Sequence, residues 1–237
     1  MKQDLKINSN PTKSDFLELE NWLIDEYNKF DEGFYCNWNI IKDSYKDNEV
    51  ITLSLNDKII GFVAWSQDQK VIHINIMEIH PDYRSKGFGE RFFEKLELTF
   101  KERGYIAFEL FCDPRESEHF WRKIGFIKFP DGAWKDSDLT FYKPLIKILT
   151  PSETSEKKHK IELWNVPQHE SRQHPPKWIW AADDEVLKKP ILQPCNAEWL
   201  VRWSINGKEI KSRRVKRFSN DIPIQNGSFM FIERLKF

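Results

Sequence analysis

The sequence predicts a mixed α/β domain over residues 1–148, a linker at 149–158, and a small all-β, sandwich-like unit over 159–237. Three observations carry this reading. Up to about residue 148, apolar spacings of helical and strand period alternate, the mark of a layered α/β domain. From Thr150 to Lys158 the chain is polar and carries a proline, as exposed connections do. Beyond it every apolar run is strand-like, and prolines 167, 175, 176, 190, 194 and 223 punctuate the rest.

The elements follow in order. Phe16, Leu19, Trp22, Leu23 and Tyr27 form an apolar stripe at helical spacing, predicting a helix from about Ser14, its N-cap, to Phe30. A short helix follows over Trp38–Tyr45. Val50–Leu55 and Ile59–Ser66 read as strands joined by the turn Asn56-Asp57-Lys58, and Val71–Ile79 as a third strand. Gly87–Arg103 is a long helix with Phe88, Phe92, Phe93, Leu96 and Phe100 on one side. Ile106–Phe111 is a strand, Arg115–Ile124 a helix, and Phe126–Phe129 and Leu139–Tyr142 two further strands. The expected order is β–α–α–β–β–β–α–β–α–β–β. In the C-terminal unit the strands are Ile161–Val166, Lys177–Trp180, Glu198–Ile205, Glu209–Phe218 and Ser228–Leu235, with Asn206-Gly207 as a hairpin turn.

Composition narrows the classes of function. Hydrophobic residues make up 40% of the 237, with 18 Phe and 10 Trp, enough for packed cores. No run approaches the roughly 18 consecutive apolar residues of a membrane helix, and the N-terminus lacks a signal-type apolar stretch. Cys36, Cys112 and Cys195 are far apart in sequence, which argues against a disulfide framework or a zinc site; no metal is expected. The expectation is a soluble cytoplasmic protein. Net charge is zero, yet residues 1–150 carry −5 and residues 159–237 carry +5, which again suggests two units.

The chemically informative segment is His73-Ile-Asn-Ile-Met-Glu-Ile-His-Pro-Asp-Tyr-Arg84-Ser-Lys-Gly87-Phe-Gly89. An apolar strand ends, a short loop follows, and a long helix begins. The first N–H groups of a helix have no partner within it, and its dipole favours an anion there. Gly87 and Gly89 leave the backbone open to a phosphate, and Arg84 and Lys86 add positive charge, so a pyrophosphate suits the place. Neither a Walker loop nor G-x-G-x-x-G is present, because Phe92 stands at the third glycine.

Arg84-Ser85-Lys86-Gly87-Phe88-Gly89 resembles the pyrophosphate loop Q/R-x-x-G-x-G/A of the GNAT superfamily of acetyltransferases, and the preceding His80-Pro81-Asp82-Tyr83 is common there. Phe120-Trp121-Arg122-Lys123-Ile124-Gly125-Phe126 resembles its second cofactor-side motif, F-Y-x-x-x-G-F. Over about 145 residues the resemblance implies a GNAT-like mixed sheet with flanking helices, binding acetyl-CoA as co-substrate and transferring acetyl to a primary amine by direct attack in a ternary complex. The pantetheine arm would enter a gap between the fourth and fifth strands and pair with the backbone of Met77, Glu78 and Ile79. The pyrophosphate would lie on the N–H groups of Ser85, Lys86, Gly87, Phe88, Gly89 and Glu90, beside Arg84, with Trp121 flanking the cofactor.

An ammonium has no lone pair, so a base is required, direct or through water. Alignment with histone acetyltransferases of the superfamily puts His73 where they carry a catalytic glutamate. Asn75 would orient a water, and Glu78 is the alternative base. Many relatives carry a tyrosine at position 121 as the acid for the coenzyme thiolate. The Trp121 indole cannot replace it, leaving Tyr83, Tyr142 or water. Cys112 reads as a buried small hydrophobe rather than a nucleophile. An acceptor of unknown identity would meet Asp25, Glu26, Asp31, Glu32, Phe34, Tyr35 and Trp38, acids and aromatics that suit a cationic amine.

The C-terminal unit resembles no family. Residues 208–217 hold six basic residues and one acidic, a surface that would suit RNA; edge-strand protection is the simpler reading. Trp199, Val201 and Trp203 are expected on one packed face. The unit could shape the acceptor site, mediate homodimerisation or recruit a protein substrate. Two other functions remain open: a non-catalytic acyl-CoA-binding regulatory module, suggested by Trp121, and an RNA-directed modifying enzyme, suggested by the basic hairpin.

Overall fold

The computed structural model describes residues 5–31, 33–133, 138–152, 158–182, 189–219 and 224–234. Contacts divide the chain into two compact units, Met1–Asp68 with Ile72–Gly125, and Gln69–Val71 with Phe126–Phe237.

The first unit contains β1 (Leu5–Asn8), α1 (Lys13–Phe30), α2 (Trp38–Lys46), β2 (Val50–Leu55), β3 (Lys58–Asp68), β4 (Val71–Ile79), α3 (Phe88–Glu102), β5 (Ala107–Phe111) and α4 (Glu118–Lys123). Its strands lie in the order β1-β2-β3-β4-β5. β1, β2 and β3 pair antiparallel. β4 and β5 are neighbours joined through α3, so the sheet is mixed.

α1 starts two residues earlier than its apolar stripe suggests. Thr12, not Ser14, is the N-cap: its hydroxyl accepts from Asp15 N at 3.2 Å, and Asp15 Oδ2 accepts from Thr12 N at 2.8 Å. This capping box satisfies two otherwise unpaired N–H groups. Phe16, Leu19, Trp22 and Leu23 of the α1 stripe pack with Ile41 of α2 and with Val50, Ile59, Phe62, Ala64 and Ile76 of the sheet, while Tyr27, expected on the same face, is exposed. Phe34, Tyr35, Trp38 and Tyr45 complete that cluster; the Phe16 ring stacks on Tyr45 at 4.0 Å and on Trp38 at 4.7 Å. The opposite layer is α3, whose Phe88, Phe92, Phe93, Leu96 and Phe100 are all buried. β2 and β3 meet through a two-residue turn, with Leu55 opposite Lys58, and Asn56 and Asp57 both left-handed at φ 50° and 64°. Asn and Asp tolerate that conformation best among residues with a side chain.

The second unit holds β6 (Ile127–Lys128) and β7 (Thr140–Pro144), an antiparallel pair, then β8 (His159–Pro167), β9 (Trp178–Ala182), β10 (Ile191–Pro194), β11 (Trp199–Ile205), β12 (Lys208–Arg214), α5 (Val215–Phe218), β13 (Gln225–Asn226) and β14 (Phe229–Ile232). After residue 159 these strands form two antiparallel sheets, β12-β11-β8-β9 and β10-β14-β13. The Asn206-Gly207 hairpin is present, both residues left-handed at φ 51° and 75°.

Three expectations for this unit need correction. The run 209–218 is not one strand: it leaves the sheet at Arg214, and Val215–Phe218 turn helically so that Val215 and Phe218 are buried. β10, between Pro190 and Pro194, was hidden by those prolines; it pairs with β14 from Ile191↔Ile232 to Pro194↔Phe229. Strict alternation along β11 fails. Register shifts after Trp199 and after Trp203 bury Leu200 beside Trp199 and Val201 and leave Trp203 half-buried. A shift of that kind changes which side chains face the core.

Candidate active site

β4 is apolar through Ile79 and then stops because His80-Pro81 begins a single helical turn, Pro81–Tyr83, with His80 N donating to Ile60 O at 2.9 Å. The chain turns through two left-handed residues, Ser85 at φ 59° and Gly87 at φ 78°, and α3 begins at Phe88. No side chain caps α3, so its first N–H groups face outward as an anion site. A Cβ on Gly87 would meet nothing within 4 Å, so the loop lies open there. Gly89 serves packing: a Cβ would come within 3.2 Å of the Phe120 ring on α4.

Beside this loop is a cleft of about 980 Å³ within the first unit. One wall is β4 from Ile74 to Ile79; the other is the end of β5 and the start of α4, including Leu110, Phe111, Phe120 and Trp121. Glu26 of α1 and the turn Gly33–Asn37, which contributes Phe34 and Cys36, also line it.

The predicted residues divide by position. Asn75, Met77, Glu78, Ile79, Arg84, Ser85, Gly87, Gly89, Glu90 and Trp121 line the cleft; His73, Lys86 and Phe88 do not. His73 lies on β4 with Nδ1 against the Glu109 carboxylate of β5, a buried partner. Asn75 Oδ1 accepts from Ser66 Oγ at 3.3 Å. Lys86 Nζ donates to Asp82 O at 2.6 Å and sits 5.7 Å from the Tyr83 ring. Phe88 is buried and meets Tyr83 edge-on. Glu90 is paired with Lys123 across α3 and α4.

Arg84 lines the cleft and is partly exposed, yet its guanidinium is bonded inward. Its Nη2 donates to Glu26 Oε1 at 2.6 Å and to Glu78 Oε1 at 2.7 Å, and its Nε to Ile79 O at 2.8 Å. Both carboxylates are buried, and Glu26 Oε2 also accepts from Trp22 Nε1 at 3.1 Å. Burial first, and then the negative charge of Glu26, push the Glu78 carboxyl up to about 8, against the opposing pull of Arg84. At neutral pH Glu78 therefore holds a proton that it releases as pH rises toward 8. Burial lowers His80, keeping its imidazole neutral beside the same cluster.

The Trp121 indole donates to Ser117 Oγ at 3.2 Å and is not a proton source. Of the two tyrosines considered as acids, Tyr83 lines the cleft; Tyr142 lies in the second unit, where burial raises its hydroxyl. Cys112 is buried, its Sγ 3.3 Å from Ser117 Oγ, and burial raises its thiol, so it packs rather than attacks. On the acceptor side, Glu26 and Phe34 line the cleft, Tyr35 and Trp38 belong to the α1–α2 core, Asp31 is the left-handed C-cap of α1, and Glu32 lies outside the described residues. Sequence reasoning missed Glu109, although a lone carboxylate inside Ala-Phe-Glu-Leu-Phe signals a buried partner. Among the described residues no helix is long and apolar enough to cross a membrane.

The order of elements, the left-handed loop between β4 and α3 and the cleft beside it are features of a GNAT-like fold. The model of the acetyltransferase (GNAT) family matches residues 16–126, and this stretch is a domain of that family. An uncharacterised N-acetyltransferase, ycf52, of Pyropia yezoensis is 32% identical over 80 residues, 33% of this chain; the match spans only 45% of that relative's length. Crystal structures with similar folds include a GNAT-family acetyltransferase from Staphylococcus aureus Mu50, at 18% identity and TM-score 0.48, over 60% of this chain and 99% of that one. Another is the PaiA N-acetyltransferase from Thermoplasma acidophilum in complex with coenzyme A, at 16% identity and TM-score 0.44, over 59% and 96%.

Proposed function

We propose that this protein transfers the acetyl group of acetyl-CoA to a primary amine, by direct attack of the amine on the thioester within a ternary complex. The observation that carries the reading is the single cleft lined by the uncapped N-terminus of α3, by β4 and by the buried Glu78 carboxyl. The pyrophosphate fits the N–H groups from Ser85 to Glu90, and the pantetheine arm fits the backbone of Met77, Glu78 and Ile79. Arg84 shapes the loop through its bonds to Glu26 and Glu78, and its partly exposed guanidinium lies at the cleft beside the pyrophosphate.

An exposed alkylamine with a pKa near ~10.4 arrives protonated and must lose a proton before it attacks. Glu78 lines the cleft and, as a carboxylate, receives that proton through water, since its side chain is set back from the surface. Nitrogen attacks the thioester carbon, the carbon–sulfur bond breaks, and the coenzyme sulfur leaves as a thiolate. The nitrogen gives up its second proton as the amide forms, and Tyr83 or water passes that proton to the sulfur. His73 is the second base; its ring is held by Glu109 away from the lining of the cleft.

The test is thermal stability of the full chain with acetyl-CoA, free CoA and ATP, repeated on Gly87→Glu. Stabilisation by both CoA compounds, lost in the variant, supports the reading. No shift with any CoA compound overturns it. A non-catalytic acyl-CoA-binding module is favoured by one observation, the indole at position 121 bonded to Ser117, and turnover on any amine excludes it.

A further inference from the structure

We propose that Glu26 is a positioning residue for the transfer reaction: together with Arg84 it fixes the Glu78 carboxyl at the wall of the cleft. This deepens the transferase reading and rests on it. Glu26 comes from α1 and Glu78 from the end of β4, yet one guanidinium nitrogen, Arg84 Nη2, bonds an oxygen of each at 2.6 and 2.7 Å. Glu26 is held in turn by Trp22 Nε1 and covered by Gly33, where an added Cβ would lie 3.1 Å from its Cδ. The side chains of Glu26 and Glu78 are only 2% and 5% exposed, so neither charge is relieved by water.

Two buried carboxylates and one arginine leave a surplus negative charge beside the loop that receives a pyrophosphate. One proton held by the pair removes it, as like charges in contact cannot both ionise cheaply. Glu78 Oε2 has no donor bonded to it among the described residues, which leaves it as the natural seat of that proton. The charged groups facing Glu78 are Glu26 from α1 and Arg84 from the loop, with the neutral His80 just beyond β4. Glu26 thereby keeps Glu78 a strong enough base for an ammonium. Without it, Arg84 would pair with Glu78 alone and hold it as a weak, permanently ionised carboxylate.

The test is the titration of the Glu78 carboxyl in the full chain, followed by side-chain 13C NMR. Its signal is assigned by its absence in Glu78→Gln, and the acidic limb of the kcat/KM profile is measured alongside with whichever amine turns over. In the native chain Glu78 titrates near 8. In Glu26→Gln its midpoint and the acidic limb both move down by roughly one pH unit or more, and the rate plateau falls because the base is weaker. Glu26→Asp, which keeps the charge, moves the midpoint by less than half as much. A Glu78 midpoint in the ordinary carboxylate range in the native chain overturns the proposal, as does one that Glu26→Gln leaves in place. Should no amine turn over, the transferase reading fails while the titration still decides whether Glu26 controls Glu78.

Discussion

Arg84 and Glu26 are 58 positions apart in the chain and 2.6 Å apart in the fold. The residue that opens the loop before α3 is thus anchored to α1, and both side chains line the cleft. Substituting Arg84 by Ala leaves two buried carboxylates without their cation. The cost expected is about 2–3 kcal/mol, less than for a fully buried pair because the guanidinium is partly exposed. Lysine restores less than half of this, since one ammonium cannot reproduce the fork that meets Glu26, Glu78 and Ile79 O. Denaturant unfolding of the two variants measures both.

Glu78 makes stability depend on pH in a stated direction. Its folded carboxyl is raised from 4.5 to about 8, so the folded chain holds a proton that the unfolded chain has released. The contribution is fully present below pH 4.5 and is lost as pH rises to about 8, beyond which the loss is constant. Glu78→Gln removes this dependence. The stability of the variant relative to the native chain therefore increases between those limits, and thermal unfolding across that pH range shows it.

The two loop glycines have different roles and should fail differently. Gly87→Ala puts a methyl group into open space at φ 78°, which costs roughly 1 kcal/mol of stability and obstructs the phosphate. Acetyl-CoA affinity should fall at least tenfold by calorimetry, an effect of about 1.4 kcal/mol or more. Gly89→Ala presses on Phe120 at 3.2 Å, so stability falls first and affinity follows only as α3 and α4 move apart.

In the C-terminal unit, Arg202 bonds Glu162 through two nitrogens, at 2.7 and 2.9 Å, and lies 4.9 Å from the Trp164 ring. Arg202→Ala strands a buried carboxylate on the central strand β8 and should cost about 2–3 kcal/mol. Glu162→Gln should cost less, because the amide keeps one acceptor for the guanidinium. Chemical unfolding of both variants compares them. Arg214 and Lys216 share Glu198, so the basic run on the edge strand β12 is partly neutralised within its own unit.

Where sequence reasoning succeeded, local chemistry and tertiary demand agree. The Phe stripe of α3, the Asn206-Gly207 turn and the strand–loop–glycine junction at 79–87 each state their conformation in a few residues. It missed what depends on long-range pairing. Nothing near Arg84 in sequence says that its partners are Glu26 and Glu78, and the acceptor-side aromatics Tyr35 and Trp38 are spent on core packing. Helix ends and β-bulges were misread for a related reason. Thr12 beats Ser14 as a cap through Asp15, and the shifts in β11 answer to its neighbours β8 and β12 rather than to its own alternation.

The most direct test of the central claim is release of free coenzyme thiol from acetyl-CoA by the purified chain, over a panel of mono-, di- and polyamines and peptide amines. Mass analysis of the acceptor accompanies it. The account predicts an amine-dependent rate, a product heavier by one acetyl group, and loss of both in Gly87→Glu. Acetyl-CoA that binds and is never consumed, or thiol release indifferent to every amine, would contradict it.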